Sequence, residues 1–154
     1  WVINMWGFGT FTPFAGWAST GRALDLSHAL VLLGFCPLFA ALYPLTQIYQ
    51  VEEDTRRGDR TLVIRLGIGR SLGVAIAATA LAFGLFGGSL LLLDRATGLR
   101  VVALAIALVA WLGVLVPWVR RHASMSAALH QRGMYLALGA WAVTDVVVAL
   151  AWGT

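Results

Sequence analysis

Long stretches without a charged residue alternate with short polar breaks along this chain. Apolar runs cover about 1–21, 26–50, 71–93, 101–119 and 133–153, the last interrupted by Asp145. A helix crosses a bilayer in about 20 such residues, so the pattern predicts five membrane spans. The runs are rich in Leu and Ala and lack the two-residue alternation of a membrane barrel. The expected fold is therefore all-α: a polytopic transmembrane helix bundle of about five spans, forming one domain over 1–154. The first run is the loosest. Gly7, Gly9, Pro13 and Gly16 interrupt it, and it is expected to kink or to start outside the membrane. Gly84-x-x-x-Gly88 predicts close helix packing. Pro37 and Pro44 are expected to kink the second span.

Composition agrees. Of the 154 residues 60% are hydrophobic and 12% charged, where soluble domains carry about 25% charged residues. A soluble or disordered chain is excluded, as is a disulfide scaffold, since Cys36 is alone. The net charge is +4 and all eleven basic residues are Arg. They sit in the polar breaks, which reads as membrane topology rather than nucleic-acid binding. Loop 22–25 has one Arg and loop 94–100 two, against five in 52–70 and three in 120–132. The Arg-rich loops are expected on the cytoplasmic side. Trp1, Trp17, Trp118 and Trp152 lie near run ends, where an aromatic belt would sit. The chain opens on Trp1 rather than Met, so it is expected to be a piece of a longer protein.

The polar chemistry is concentrated between Tyr43 and Leu62, at the cytoplasmic end of the second span. On one continuous helix, Tyr43, Thr46, Gln47, Gln50, Glu53, Asp54 and Arg57 would fill a stripe about 120° wide, with Glu52 on the opposite side. Ion pairs four residues apart, Glu52–Arg56 and Glu53–Arg57, would account for the charged half. They leave Thr46, Gln47 and Gln50 unexplained. Polar residues at that depth usually face a bundle interior or a water cavity. Carboxylates at such a mouth suit Mg²⁺, which takes one or two of them and completes its shell with water and phosphates. Arg57 and Arg60 are suited to phosphate oxygens. Together they describe a diphosphate clamp above a greasy cavity.

The stretch Gln50-x-Glu-Glu-Asp54-x-Arg-Arg-Gly58-Asp-Arg60-Thr-Leu62, with Leu66-Gly67 after it, resembles the second Asp-rich motif of the UbiA-type intramembrane prenyltransferases. The resemblance implies the C-terminal part of a nine-helix bundle that transfers a prenyl group from a prenyl diphosphate to an apolar or aromatic acceptor with Mg²⁺. It implies Asp54, Gln50 and Glu53 as catalytic residues and metal ligands, and Arg57 and Arg60 on the diphosphate. Asn4, Tyr43, Thr46, Gln47 and Tyr49 would line the substrate pocket. Gln50 stands where the family has its first acidic residue. The family's other Asp-rich motif has no counterpart in 1–42, so the N-terminal half of the site is expected elsewhere and this piece alone is expected to be inactive. The expected location is the cell membrane, the inner one in a bacterium.

Other readings remain open at this point. A non-enzymatic, transporter-like protein would use the polar stripe to line a solute path. An enzyme of the CDP-alcohol phosphotransferase type is disfavoured, because its Asp-x-x-Asp-Gly pattern is absent. Asn4 fits either the acceptor pocket or a helix–helix hydrogen bond. Asp145 fits a functional acid or a structural partner. His28 reads as interfacial, and His122 and His130 as topology signals. The charge pattern makes a direct prediction. Cysteines placed in 52–70 and 120–132 should react with impermeant reagent from the cytoplasmic side only. Labelling of 94–100 from that same side would contradict the topology.

Overall fold

The computed structural model describes residues 2–92 and 98–152, and every element among them is helical. Trp1 and most of the 94–100 loop lie outside the described residues. Helix α1 (Val2–Trp6) passes through a π turn at Gly7–Phe11 into α2 (Thr12–Ala18). There follow α3 (Leu26–Ile48), the short α4 (Val51–Arg57) and α5 (Leu62–Leu66), α6 (Ile68–Leu91), α7 (Gly98–Arg121) and α8 (Ala127–Trp152). A 3₁₀ turn at His122–Ser124 follows α7.

Four helices are long and apolar enough to cross a membrane: α3, α6, α7 with its 3₁₀ turn, and α8. At 23 residues, α3 spans about 35 Å at 1.5 Å per residue. The first of the five expected spans is the exception. It is helical only from Val2 to Ala18 and its ladder is interrupted. Pro13 has no N–H to give Gly9, and the Thr12 N–H bonds Gly7 O, five residues back. Gly9 is buried against α3, where a Cβ would stand 2.9 Å from Cys36 Cα. The prolines of α3 do not end it, for the helix is continuous through Pro37 and Pro44.

Without a hydrophobic force between helices in lipid, association rests on close van der Waals packing and interhelical hydrogen bonds. Helix α3 is central: it packs along α6 and also meets α8 and the first segment. Phe86 of α6 occupies the space that a side chain at Gly34 would need. Around it, Phe35 and Phe83 meet the Phe86 ring edge-on, with centroids 5.5 and 5.6 Å away. At one end Ser27 and Ser89 exchange hydroxyl hydrogen bonds to each other's carbonyls at 2.7–3.2 Å, and Trp152 Nε1 donates to Ser89 Oγ at 2.8 Å. The starts of α3 and the ends of α6 and α8 are thereby joined. At the other end His122 approaches Gly69 at the start of α6. The helices thus alternate in direction, and 52–70 shares an end with 120–132.

Three sequence expectations change. A Cβ at Gly84 or Gly88 would meet nothing within 4 Å, so this pair makes no close packing among the described residues. Trp118 and Trp152 are buried rather than belt-like. His130 is buried inside α8, where its Nδ1 accepts from Trp118 Nε1 at 2.8 Å; its burial comes from α7 crossing α8, which loop composition does not reveal. One substitution tests the central contact. Gly34→Ala should destabilise the protein by about 1–3 kcal/mol through overpacking, read as a lower melting temperature in detergent. Gly84→Ala, facing open space, should leave it unchanged or raise it.

Candidate active site

The site segment begins where α3 ends. Tyr49 and Gln50 form a turn, and α4 restarts at Val51 with Gln50 at φ −101°, ψ 2°. The polar stripe therefore does not run down one helix. Tyr43, Thr46 and Gln47 share a side of α3, and residues 51–57 are set by a new axis. Helix α4 has Glu52, Glu53 and Asp54 in its first turn and Arg56 and Arg57 in its last, the charge order that a helix dipole favours. It closes on Gly58 at φ +76°, a left-handed position open to glycine. Asp59 N–H bonds Asp54 O at 2.9 Å and Gly58 N–H bonds Thr55 O at 3.1 Å, the Schellman pattern.

This reversal brings Asp59 back under Arg57. The guanidinium donates to Asp59 Oδ2 from Nε and Nη2, at 3.0 and 2.8 Å, and to Asp54 Oδ1 from Nη2 at 2.9 Å. Glu53 Oε1 lies 3.8 Å from Nη1. Arg57 is thus a clasp among three carboxylates, and its pKa is raised, chiefly by Asp59 and then by Asp54 and Glu53. Burial differs sharply across the cluster. The Asp54 side chain is 5% exposed, that of Glu53 64%. The expected Glu53–Arg57 pair is present, whereas Arg56 Nε donates to the Glu52 backbone carbonyl at 3.4 Å.

Two clefts divide the expected site residues. One, of about 330 Å³, takes Tyr49, Gln50, Glu53, Asp54 and Arg57. Exposed Glu52 lines this cleft as well, against the expectation that it stands on the side opposite the other acids, because α4 has an axis of its own. The other, of about 420 Å³, takes Tyr43, Gln47 and Arg60 together with Asp59, Thr61 and Arg65. The Arg57–Asp59 pair connects the two. Gln50 Nε2 donates to Tyr49 Oη at 2.6 Å. Thr46 is turned to its own helix, bonding Tyr43 O at 2.7 Å, and lines neither cleft. Asn4 Nδ2 donates to Tyr43 Oη at 3.2 Å, the helix–helix bond that sequence allowed. Gln47 Oε1 is buried with no hydrogen-bond partner among the described residues.

Thr61 caps α5 through Ile64 N–H at 3.3 Å, and buried Val63 anchors that helix in the core. Asp59, Thr61 and Arg65 escaped sequence reasoning. The one available signal was Gly58, since a helix-ending glycine returns the next residue to the last turn. Asp145 is far along α8 and exposed beside Trp141; it does not join the site. Among the described residues no three His, Cys, Asp or Glu side chains gather as a metal site.

A family model describing the UbiA prenyltransferase family matches residues 2–139. The chain belongs to the UbiA prenyltransferase family. No curated protein and no solved structure matches it. Membership supports an intramembrane prenyltransferase-type function, and four apolar helices suit a multi-pass membrane protein. In this UbiA chain the turn that returns Asp59 to Arg57 hangs on one backbone conformation. Gly58→Ala has open space around it, so its cost is conformational, about 1–2 kcal/mol. A melting curve should show that loss, and Gly58→Asn, which tolerates the left-handed region, should recover part of it.

Proposed function

We propose that this chain carries the cytoplasmic, diphosphate-handling part of a membrane prenyltransferase, which joins the prenyl group of a prenyl diphosphate to an apolar or aromatic acceptor. The observation that carries this reading is the buried Asp54 carboxylate, clasped by Arg57 in a cleft shared with Gln50 and Glu53. The donor chemistry fits Mg²⁺. All donors are hard oxygens, and the ion needs only one or two carboxylates when phosphates and water fill the rest. Asp54 and Glu53 would hold it, with Gln50 Oε1 as a neutral ligand. When bound, the ion would neutralise the charge that builds on the departing diphosphate.

The chain's own groups supply the remainder. Arg57 and Arg60 present guanidinium forks, one to each cleft, and the fork matches phosphate oxygens. Asp59 holds the Arg57 plane in place before any phosphate arrives. Deeper in, the Tyr43 ring lies 6.0 Å from Phe39, which lies 6.3 Å from Trp141. Such aromatic faces favour an allylic cation. The Asn4 amide fixes the Tyr43 phenol, and the unpartnered Gln47 Oε1 suits a hydroxyl on the acceptor. Further carboxylates of the family's chemistry would come from the expected N-terminal half, so that residues 1–154 alone would be inactive. The location proposed is a cell membrane, with 52–70 and 120–132 in the cytoplasm. Family membership is the reason the transporter-like reading goes no further.

Substitution in the full-length protein tests this. Asp54→Asn should lower prenyl transfer by about 100-fold or more while insertion and melting temperature are kept, since removing a charge-stabilising group costs about 2.7–4 kcal/mol in the transition state. Chelation should abolish transfer and Mg²⁺ restore it. Gln50→Asp should be tolerated or tighten metal binding; a loss of activity there would mean that Gln50 touches the acceptor. Unchanged transfer in Asp54→Asn would remove Asp54 from the site.

A further inference from the structure

The Arg-rich end holds a second charged feature that the prenyl-diphosphate site does not use. Segment 120–132 contains Arg120, Arg121 and Arg132 and no Asp or Glu. Segment 52–70, at the same end, sets Glu52, Glu53, Asp54 and Asp59 beside its arginines. Arg121 and Arg132 are exposed, and neither has a carboxylate partner among the described residues. Both line one groove of about 160 Å³ between α7 and α8.

Below the two arginines the groove is apolar. Val114, Pro117 and Leu136 line it there, Leu129 stands a turn nearer the start of α8 than Arg132, and no acid lines the groove. Its floor is the Trp118 ring, packed on Gly133 so closely that a Cβ there would stand 2.8 Å away. The hydrogen bond from Trp118 to His130 holds that ring in place. A topology signal needs only that cations lie in the loop. It does not need two of them, from different helices, at the head of one apolar furrow that runs toward the bilayer core.

We infer that this groove binds an anionic phospholipid, with its phosphate between Arg121 and Arg132 and an acyl chain along the furrow. Charge complementarity selects the headgroup, because basic pockets between helices near the membrane surface attract anionic lipid. The furrow selects a lipid over a free phosphate, because only a lipid fills both halves.

The test is a melting curve of the full-length protein in a neutral detergent. Added phosphatidylglycerol should raise the melting temperature by about 3 °C or more by mass action, and phosphatidylcholine should not. The R121Q/R132Q double variant should lose the rise, while R120Q, outside the groove, should keep it. If the double variant melts lower without lipid, the single variants R121Q and R132Q become decisive: a smaller rise in each supports the site, and a full rise in both counts against it. An equal rise with phosphatidylcholine, or in R121Q/R132Q, overturns the inference. So does inorganic phosphate that reproduces a rise which R121Q/R132Q abolishes, since that identifies a free-phosphate site in the groove.

Discussion

The near-contact of the α3 backbone with the Phe86 ring at Gly34 governs the arrangement of this bundle. It brings α3 and α6 close enough for Ser27 and Ser89 to exchange hydrogen bonds at one end. It fixes where the other end of α3 stops relative to the start of α6. Everything between those two points, residues 49–67, must cross a short gap, and it does so with two small helices and two left-handed glycines, Gly58 and Gly67. In a bilayer, irregular backbone of this kind is tolerated only outside the hydrocarbon or against protein. The polar chemistry is therefore collected at a helix end because the backbone there is free to turn.

Within that gap, charge and burial divide the work. Asp54 is buried and Glu53 is not, although they are neighbours, because α4 is short and presents one side to the core. The Arg57 clasp keeps a buried carboxylate from standing unpaired, the arrangement that buried charge requires. It also joins two clefts that would otherwise be separate, one holding Glu52, Glu53 and Asp54 and one holding Arg60, Arg65 and the Gln47 amide.

Much of this was legible in the residue pattern. The apolar runs at 26–50, 71–93, 101–119 and 133–153 correspond to α3, α6, α7 and α8. The helices run on past several of those limits, as at Arg120 and Arg121, because a helix continues where water accepts its charged turns. The family's motif also singled out Asp54, and residue chemistry Arg57, two residues that the fold brings into one ion pair. The turn at Tyr49 and Gln50 was not legible, since neither Gly nor Pro announces it. Nor was the burial of Trp118, Trp152 and His130, which depends on which helix crosses which. The orphan Gln47 acceptor and the return of Asp59 to Arg57 are likewise products of three-dimensional approach.

The π turn at Gly7–Phe11 has a geometric meaning of its own. A turn closed by a bond to the fifth residue back holds one residue more than an α turn. Each residue of an α-helix advances about 100° around the axis. The surplus residue therefore swivels the part of the helix before it relative to the part after it. That swivel lets one segment satisfy two demands on different bearings: Gly9 lies flat on Cys36, and Asn4 aims at the Tyr43 phenol. Deleting a single residue between Gly7 and Phe11 would keep the hydropathy of the segment and turn Asn4 off its mark. An alignment that treats such a deletion as a harmless gap would miss that the gap is an angle.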